Sequence, residues 1–194
     1  MAARMAASAA PKNRFAPHCC HSNPDNPVIG DRSFGRDPAR VAEQVVRFAQ
    51  AHQGAGMIAC VKHFPGHGGA TADSHTTLPV LTETLAELED RDLAPFATAV
   101  EAGAPSVMIG HLDVEAIAPG VPSSLAPETY AYLREELGFE GVAITDSLGM
   151  GAVAGTPALA VKALQAGADL LQGYTSFIYQ GPGWPRRIVR GLED

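Results

Sequence analysis

Positions 62 to 75 read Lys62-His63-Phe64-Pro65-Gly66-His67-Gly68-Gly69-Ala70-Thr71-Ala72-Asp73-Ser74-His75, a run holding three histidines, a lysine and an aspartate. Its glycines and proline let the backbone fold tightly enough for these side chains to converge. Acid–base chemistry suits Asp73 and His75. If the chain turns at Ser74, the carboxylate meets the imidazole, fixes its tautomer and raises its proton affinity. A metal site suits His63, His67 and His75, with Asp73 or Asp113 as a fourth ligand. The His63–His67 spacing fits zinc on a helix, but Pro65 and Gly66 interrupt any helix, and the glutamate of a zinc-protease helix is missing. A solvated polar loop is the third reading, although loops after parallel strands commonly carry function. A second segment, Gly141-Val142-Ala143-Ile144-Thr145-Asp146-Ser147-Leu148-Gly149-Met150, presents Asp146 as the first charge after an apolar run. A carboxylate there serves as nucleophile, base or metal ligand, or caps the following turn; spacing leaves both roles open.

These residues need elements to hold them. Asp37-Pro38 starts a predicted helix to about Gln53, with Val41, Val45, Phe48 and Ala49 on one face. Met57–Lys62 reads as a short apolar strand, followed by the Gly/His loop to about Pro79. Thr84–Ala102 has the spacing of an amphipathic helix, with Leu85, Leu88, Leu93 and Phe96 among acids. Ser106–Ile109 is the next strand, then the loop His111–Ser124 and a helix over Pro127–Leu137 that Gly138 ends. Val142–Thr145, a helix over Pro157–Ala166 and a strand over Ala168–Leu171 complete the series. Before it, Met1–Ala10 reads as a short helix, Arg14–Ala16 as a short strand and His18–Pro38 as a long turn-rich stretch. Short apolar strands alternating with helices signal buried parallel strands with crossover helices, in an α/β fold. About five βα units are legible, where a closed barrel needs eight, so the pattern predicts an open sheet or a partial barrel. In a barrel Lys62, His63, His111 and Asp146 share the strand C-terminal face, where active sites lie.

Composition narrows the function. Fourteen Lys+Arg stand against 21 Asp+Glu in 194 residues, a net charge of −7 with no basic cluster, which argues against nucleic-acid binding. No apolar run approaches the roughly 18 residues of a spanning helix. Three cysteines, two of them adjacent at Cys19 and Cys20, give no disulfide framework. Arg4 interrupts a weakly apolar start, so no signal peptide is legible; if that start is genuine, the cytoplasm is the expected compartment.

Five segments occur in a telling order. They are Asp31-Arg32-Ser33-Phe34-Gly35-x-Asp37-Pro38, Lys62-His63-Phe64-Pro65-Gly66-His67-Gly68, Asp73-Ser74-His75, Leu137-Gly138-Phe139-x-Gly141-Val142 and Thr145-Asp146-Ser147-Leu148-x-Met150. Together they resemble the β-N-acetylhexosaminidase branch of glycoside hydrolase family 3, from about Arg4 to Leu171. KHFPGHG followed by DSH is specific to that branch; the β-glucosidase branch lacks the DSH loop. The resemblance implies a (β/α)8 TIM barrel, present here in part, and a retaining exo-β-N-acetylglucosaminidase acting on terminal β-N-acetylhexosaminides of cell-wall or chitin origin. By it, Asp146 is the nucleophile and forms a covalent glycosyl-enzyme, and His75 is the acid/base oriented by Asp73. Lys62 and His63 bond the sugar hydroxyls, Arg32 helps position them, and His111 faces the same pocket. No cofactor or metal is implied, and the only partner implied is the carbohydrate substrate.

Two segments depart from the family pattern, His18–Ser22 and the Gly/Pro/aromatic stretch from Gln172 to Asp194. Residues 1–171 are therefore expected to form an incomplete catalytic barrel and residues 172–194 a divergent, irregular tail, with weak or no activity from the chain alone. Four functions compete: the hydrolase, an inactive truncated remnant of one, a metal-dependent hydrolase using the histidine cluster, and a phosphorylase of the same branch. In the last, phosphate replaces water, and a neutral or positive histidine does not repel it as a carboxylate does.

Overall fold

The computed structural model describes residues 22–29, 32–153, 157–173, 181 and 183–193. The expected helix over Met1–Ala10, the strand at Arg14–Ala16, and Cys19 and Cys20 lie outside the described residues. Helix α1, Pro38–Gly54, starts where Asp37 accepts the backbone N–H groups of Ala39 and Arg40 at 3.0 and 3.1 Å. Proline at its first position loses no bond there. It buries Val41, Ala42, Val45 and Ala49. Strand β1, Cys60–Phe64, begins later than the apolar run suggests. Gly56, at φ 77°, and Met57 instead close the C-terminus of α1, donating to the carbonyls of Gln53 and His52. Met57 and Ile58 consequently stay exposed.

Strand β2, Val80–Leu81, precedes a long helical stretch that is not uniform. Helix α2, Leu85–Leu88, opens on a reciprocal Thr84–Glu87 cap, a π-turn follows over Glu89–Leu93, and α3 runs over Ala94–Glu101. Pro95 has no N–H for the carbonyl four residues back, and the helix widens just ahead of it. Next come β3, Ser106–Ile109, and β4, Asp113–Val114. After a 3-10 turn at Ser123–Leu125 lies α4, Pro127–Ala131, prolonged by a π-turn over Tyr132–Glu136. Then follow β5, Val142–Ser147, α5, Pro157–Ala166, β6, Leu170–Gln172, and α6, Trp184–Glu193.

One sheet has the order β1-β3-β5-β6, all parallel, and a separate two-stranded parallel ladder joins β2 to β4. This is an α/β fold with a parallel sheet flanked by helices, and among the described residues the barrel is not closed. The four strands of the sheet are the four expected ones that fall within the described residues, and the fifth, Arg14–Ala16, lies outside them; β2 and β4, which were not anticipated, pair with each other. Val61, Phe64, Phe96, Val107, Ile109, Leu112, Leu133 and Ala143 belong to the main core, where the Phe64 and Phe96 rings meet edge to face at 5.3 Å. Pairing slips between Lys62 and Phe64 on β1 and between Ile144 and Ser147 on β5. Both slips fall at the strand C-terminal ends, where an extra residue re-aims the side chains around it. The expected irregular tail needs correction: Gln172 lies in β6 and Trp184–Glu193 is helical. Trp184 and Ile188, four residues apart, share one buried face against Leu148, Ala160 and Val161.

Candidate active site

Asp146 stands at the end of β5, its side chain 16% exposed. Its Oδ1 accepts the Ser147 N–H at 2.7 Å, and its Oδ2 lies 3.4 Å from Nε2 of His63. His63 occupies the irregular end of β1 and is 7% exposed. A Cβ on Gly110 would sit 3.1 Å from His63 Cβ, so the glycine lets β3's exit pass close to the imidazole. Lys62 is half-buried beside them. Burial pushes its pKa down, the Asp146 carboxylate opposes that, and the nearby Arg32 guanidinium adds to it. Arg32 is aimed by its own turn: Nη2 donates to the Val28 carbonyl and Nε to Ile29's at 3.4 Å. Asn26 shapes that turn, accepting the N–H groups of Val28 and Ile29 on Oδ1 and donating Nδ2 to the His67 carbonyl at 2.8 Å.

The Asp73–His75 loop has a definite orientation. Asp73 Oδ1 accepts both the His75 backbone N–H, at 2.9 Å, and the ring Nδ1, at 2.7 Å. A carboxylate only accepts, so Nδ1 carries the proton and Nε2 is left for an outside group. The His75 side chain is 61% exposed, as an acid/base needs for reaching a substrate. The His75 N–H first, and its ring second, hold the Asp73 carboxyl below the usual carboxylate range. Ser74 turns inward and bonds buried His67 at Nε2, 3.0 Å away. Burial pushes the His67 pKa down and favours a neutral ring. The loop rests on the segment after β5: Gly151 N–H donates to the His75 carbonyl at 2.8 Å and Ala152 N–H to Ser74's at 3.2 Å. A Cβ on Gly151 would come within 2.7 Å of the Thr76 oxygen and 2.8 Å of the His75 oxygen.

His111 sits deeper than a sugar contact would. It is 0% exposed, with Nδ1 2.6 Å from Ser124 Oγ and Nε2 3.0 Å from the Ser147 carbonyl. Both ring nitrogens are thus engaged within the chain. Among the described residues no three His, Cys, Asp or Glu side chains gather to hold a metal ion. The His63 and His67 rings lie edge to face, 5.8 Å apart.

The model of the glycosyl hydrolase family 3 N-terminal domain matches residues 1–177. The chain belongs to glycosyl hydrolase family 3. It is 40% identical over 156 residues to the beta-hexosaminidase LpqI of Mycobacterium tuberculosis, a match spanning 76% of this chain and 40% of that protein. It is also 40% identical over 149 residues to a Xylella fastidiosa beta-hexosaminidase, covering 75% of this chain and 44% of the other. The chain therefore spans about two fifths of the length of these curated relatives. The solved family 3 beta-N-acetylglucosaminidase of a Paenibacillus species superposes with TM-score 0.84 at 36% identity, over 92% of this chain and 34% of that one. NagZ of Neisseria gonorrhoeae, solved with N-trifluoroacetyl-D-glucosamine, superposes at 0.70 and 32% identity, over 86% of this chain and 46% of its own.

Sequence reasoning within this family 3 chain passed over Ser124 and Gly151, read Asn26 and Ser74 only as turn residues, and weighed His67 only as a metal ligand. Asn26-Pro27 marks a turn, and the Gly149-x-Gly151 pair marks a close approach, but neither names the partner. Those partners come from segments 41, 7, 13 and 76 positions away; the first three are bonds to His67, His67 and His111, and the last joins Gly151 to His75.

Proposed function

We propose that this chain carries the nucleophile and acid/base of a retaining exo-β-N-acetylglucosaminidase, with Asp146 and His75 in those roles. One observation carries the reading: the Asp73–His75 pair, closed at 2.7 Å, is hydrogen-bonded through its backbone to the segment that follows Asp146. Family membership and relatives named beta-hexosaminidase support it. In the first half-reaction an Asp146 oxygen bonds the anomeric carbon as the glycosidic C–O bond breaks. His75 Nε2–H gives its proton to the departing oxygen, while Nδ1–H stays on Asp73. In the second half, Nε2 takes a proton from water, whose oxygen displaces Asp146. Lys62 and Arg32 supply donors for sugar hydroxyls, and His63 faces both the sugar and Asp146. Residues 1–171 form the catalytic part in this reading.

The test is turnover of an aryl β-N-acetylglucosaminide by the full chain, with and without inorganic phosphate, and by Asp146→Ala. Asp146-dependent turnover to free sugar supports hydrolysis, and a sugar 1-phosphate product reassigns the chain as a phosphorylase. An Asp146→Ala chain that keeps more than about a tenth of the rate removes the nucleophile assignment, because loss of a covalent nucleophile raises the barrier by several kcal/mol.

A further inference from the structure

His111 has two partners, neither of them a substrate. A carbonyl oxygen only accepts, so the 3.0 Å contact to Ser147 requires the proton on Nε2. Neutral Nδ1 then accepts the Ser124 hydroxyl at 2.6 Å, and the Tyr130 hydroxyl donates to the Ser124 carbonyl at 2.9 Å, holding that turn. Ser147 is held through both of its peptide groups: its carbonyl, in the peptide to Leu148, takes His111, and its N–H, in the peptide from Asp146, binds the Asp146 carboxylate at 2.7 Å. His111 and the bond from Leu148 N–H to the Gln172 carbonyl, at 2.8 Å, hold the peptide after Ser147 from two sides, while the Ser147 N–H holds Oδ1 and leaves Oδ2 on the His63 side. We propose that His111, locked as its Nε2–H tautomer between Ser124 and Ser147, is a positioning residue for the Asp146 carboxylate. The inference rests on the catalytic reading of Asp146.

Burial favours the neutral ring that this tautomer needs. The Ser147 carbonyl and Asp146 oppose that shift, and His75 reinforces it. A core packing role alone asks for no particular tautomer and no hydroxyl opposite Nδ1. Ser124 is 0% exposed, so its hydroxyl has a buried acceptor to meet here.

The experiment uses the full chain, labelled with 15N. At pH 7 a long-range 15N–1H correlation is expected to show one protonated Nε2 and one unprotonated Nδ1 for His111. A protonated Nδ1, or both tautomers exchanging, overturns the proposal. Amide exchange is then read in His111→Leu and His111→Gln; glutamine keeps an N–H at the Nε2 position. His111→Leu is expected to speed exchange at the Ser147 amide at least about tenfold, with Met108 and Ile144 unchanged, and His111→Gln to restore it. Uniform acceleration, or none at Ser147, reduces His111 to packing. If the leucine chain does not fold, Ser124→Ala gives the same readings through loss of the single tautomer. Kinetically, His111→Leu is expected to lower kcat roughly ten- to a hundredfold with KM held within about twofold, the scale of a misplaced reacting group. Failure of the tautomer or exchange result refutes positioning. Undiminished turnover in Asp146→Ala refutes instead the catalytic reading beneath it.

Discussion

Gly151→Ala tests whether the acid/base works only while docked. The new Cβ would meet the Thr76 and His75 carbonyl oxygens at 2.7 and 2.8 Å, and the Thr76 carbonyl carbon at 2.8 Å. All three are backbone atoms, so no flexible side chain can swing aside. The loop or the Gly151 segment must shift, and the bonds from Gly151 and Ala152 to His75 and Ser74 stretch or break. At a net ~0.5–1.5 kcal/mol each, their loss weakens docking by about 1–3 kcal/mol. That corresponds to roughly a five- to hundredfold smaller docked population wherever docking is not strongly favoured otherwise. The cost falls on the step that needs the His75 proton. Turnover of a substrate with a poor leaving group is therefore expected to drop about five- to hundredfold, and that of an activated aryl glycoside much less. Amide exchange supplies a second reading on the same chain, with Ala152 losing protection while the β3 and β5 amides keep theirs. Equal losses on both substrates, or unchanged protection at Ala152, would refute the docking argument.

Four further outcomes are expected. His75→Ala should slow poor leaving groups far more than activated ones, and Asp73→Asn should show a weaker version of that split; comparison of the two substrate classes decides both. Arg91 binds Asp92, 1% exposed, at 2.6–2.7 Å and Glu83 at 2.8 Å, so Arg91→Met should cost about 3–5 kcal/mol in urea unfolding by leaving a buried carboxylate unpaired. A loss under about 1 kcal/mol would show that the ion pair contributes little. Acidification should destabilise the chain: buried His67 and His111 have folded pKa values below their unfolded ones, so their contribution is complete above about pH 6.5 and is lost as pH falls below it. Melting temperatures between pH 8 and 5 check this, and His67→Gln should flatten the decline; an equally steep fall in that variant would assign it to other groups.

The sequence made the elements legible wherever local chemistry decides them. Asp37-Pro38 caps α1, the short run Ser106–Ile109, with three apolar residues in succession, makes β3, and Pro157–Ala166 is helical as its pattern reads. Boundaries slipped where a tertiary demand overrode the local one. Met57 reads as the start of a strand, yet its N–H closes the preceding helix. Trp184 to Glu193 carries too much glycine, proline and arginine nearby to look regular, yet burial of Trp184 and Ile188 on α5 makes it a helix. The strand-end placement of Lys62, His63 and Asp146 follows from the alternating pattern. The depth of His111 does not, because a histidine just past a strand reads the same whether it faces a sugar or a serine.

What the candidate site adds to its motifs is a set of bonds between loops. His75 owes its orientation to Asp73, two residues away, which the sequence displays. Its position relative to Asp146 depends on Gly151 and Ala152, which follow Asp146 by five and six residues and reach back to the earlier loop. Ser147 is held in the same manner, by a histidine 36 residues before it. The two groups proposed to react therefore share one scaffold: the short stretch from Asp146 to Ala152 carries the carboxylate at its start and carries the dock for the imidazole at its end. Movement of that stretch would therefore act on both groups. A substitution at either fastening, Gly151 or His111, separates the two motions. It should therefore damage chemistry more than it damages the main core among Phe64, Val107, Ile109 and Ala143.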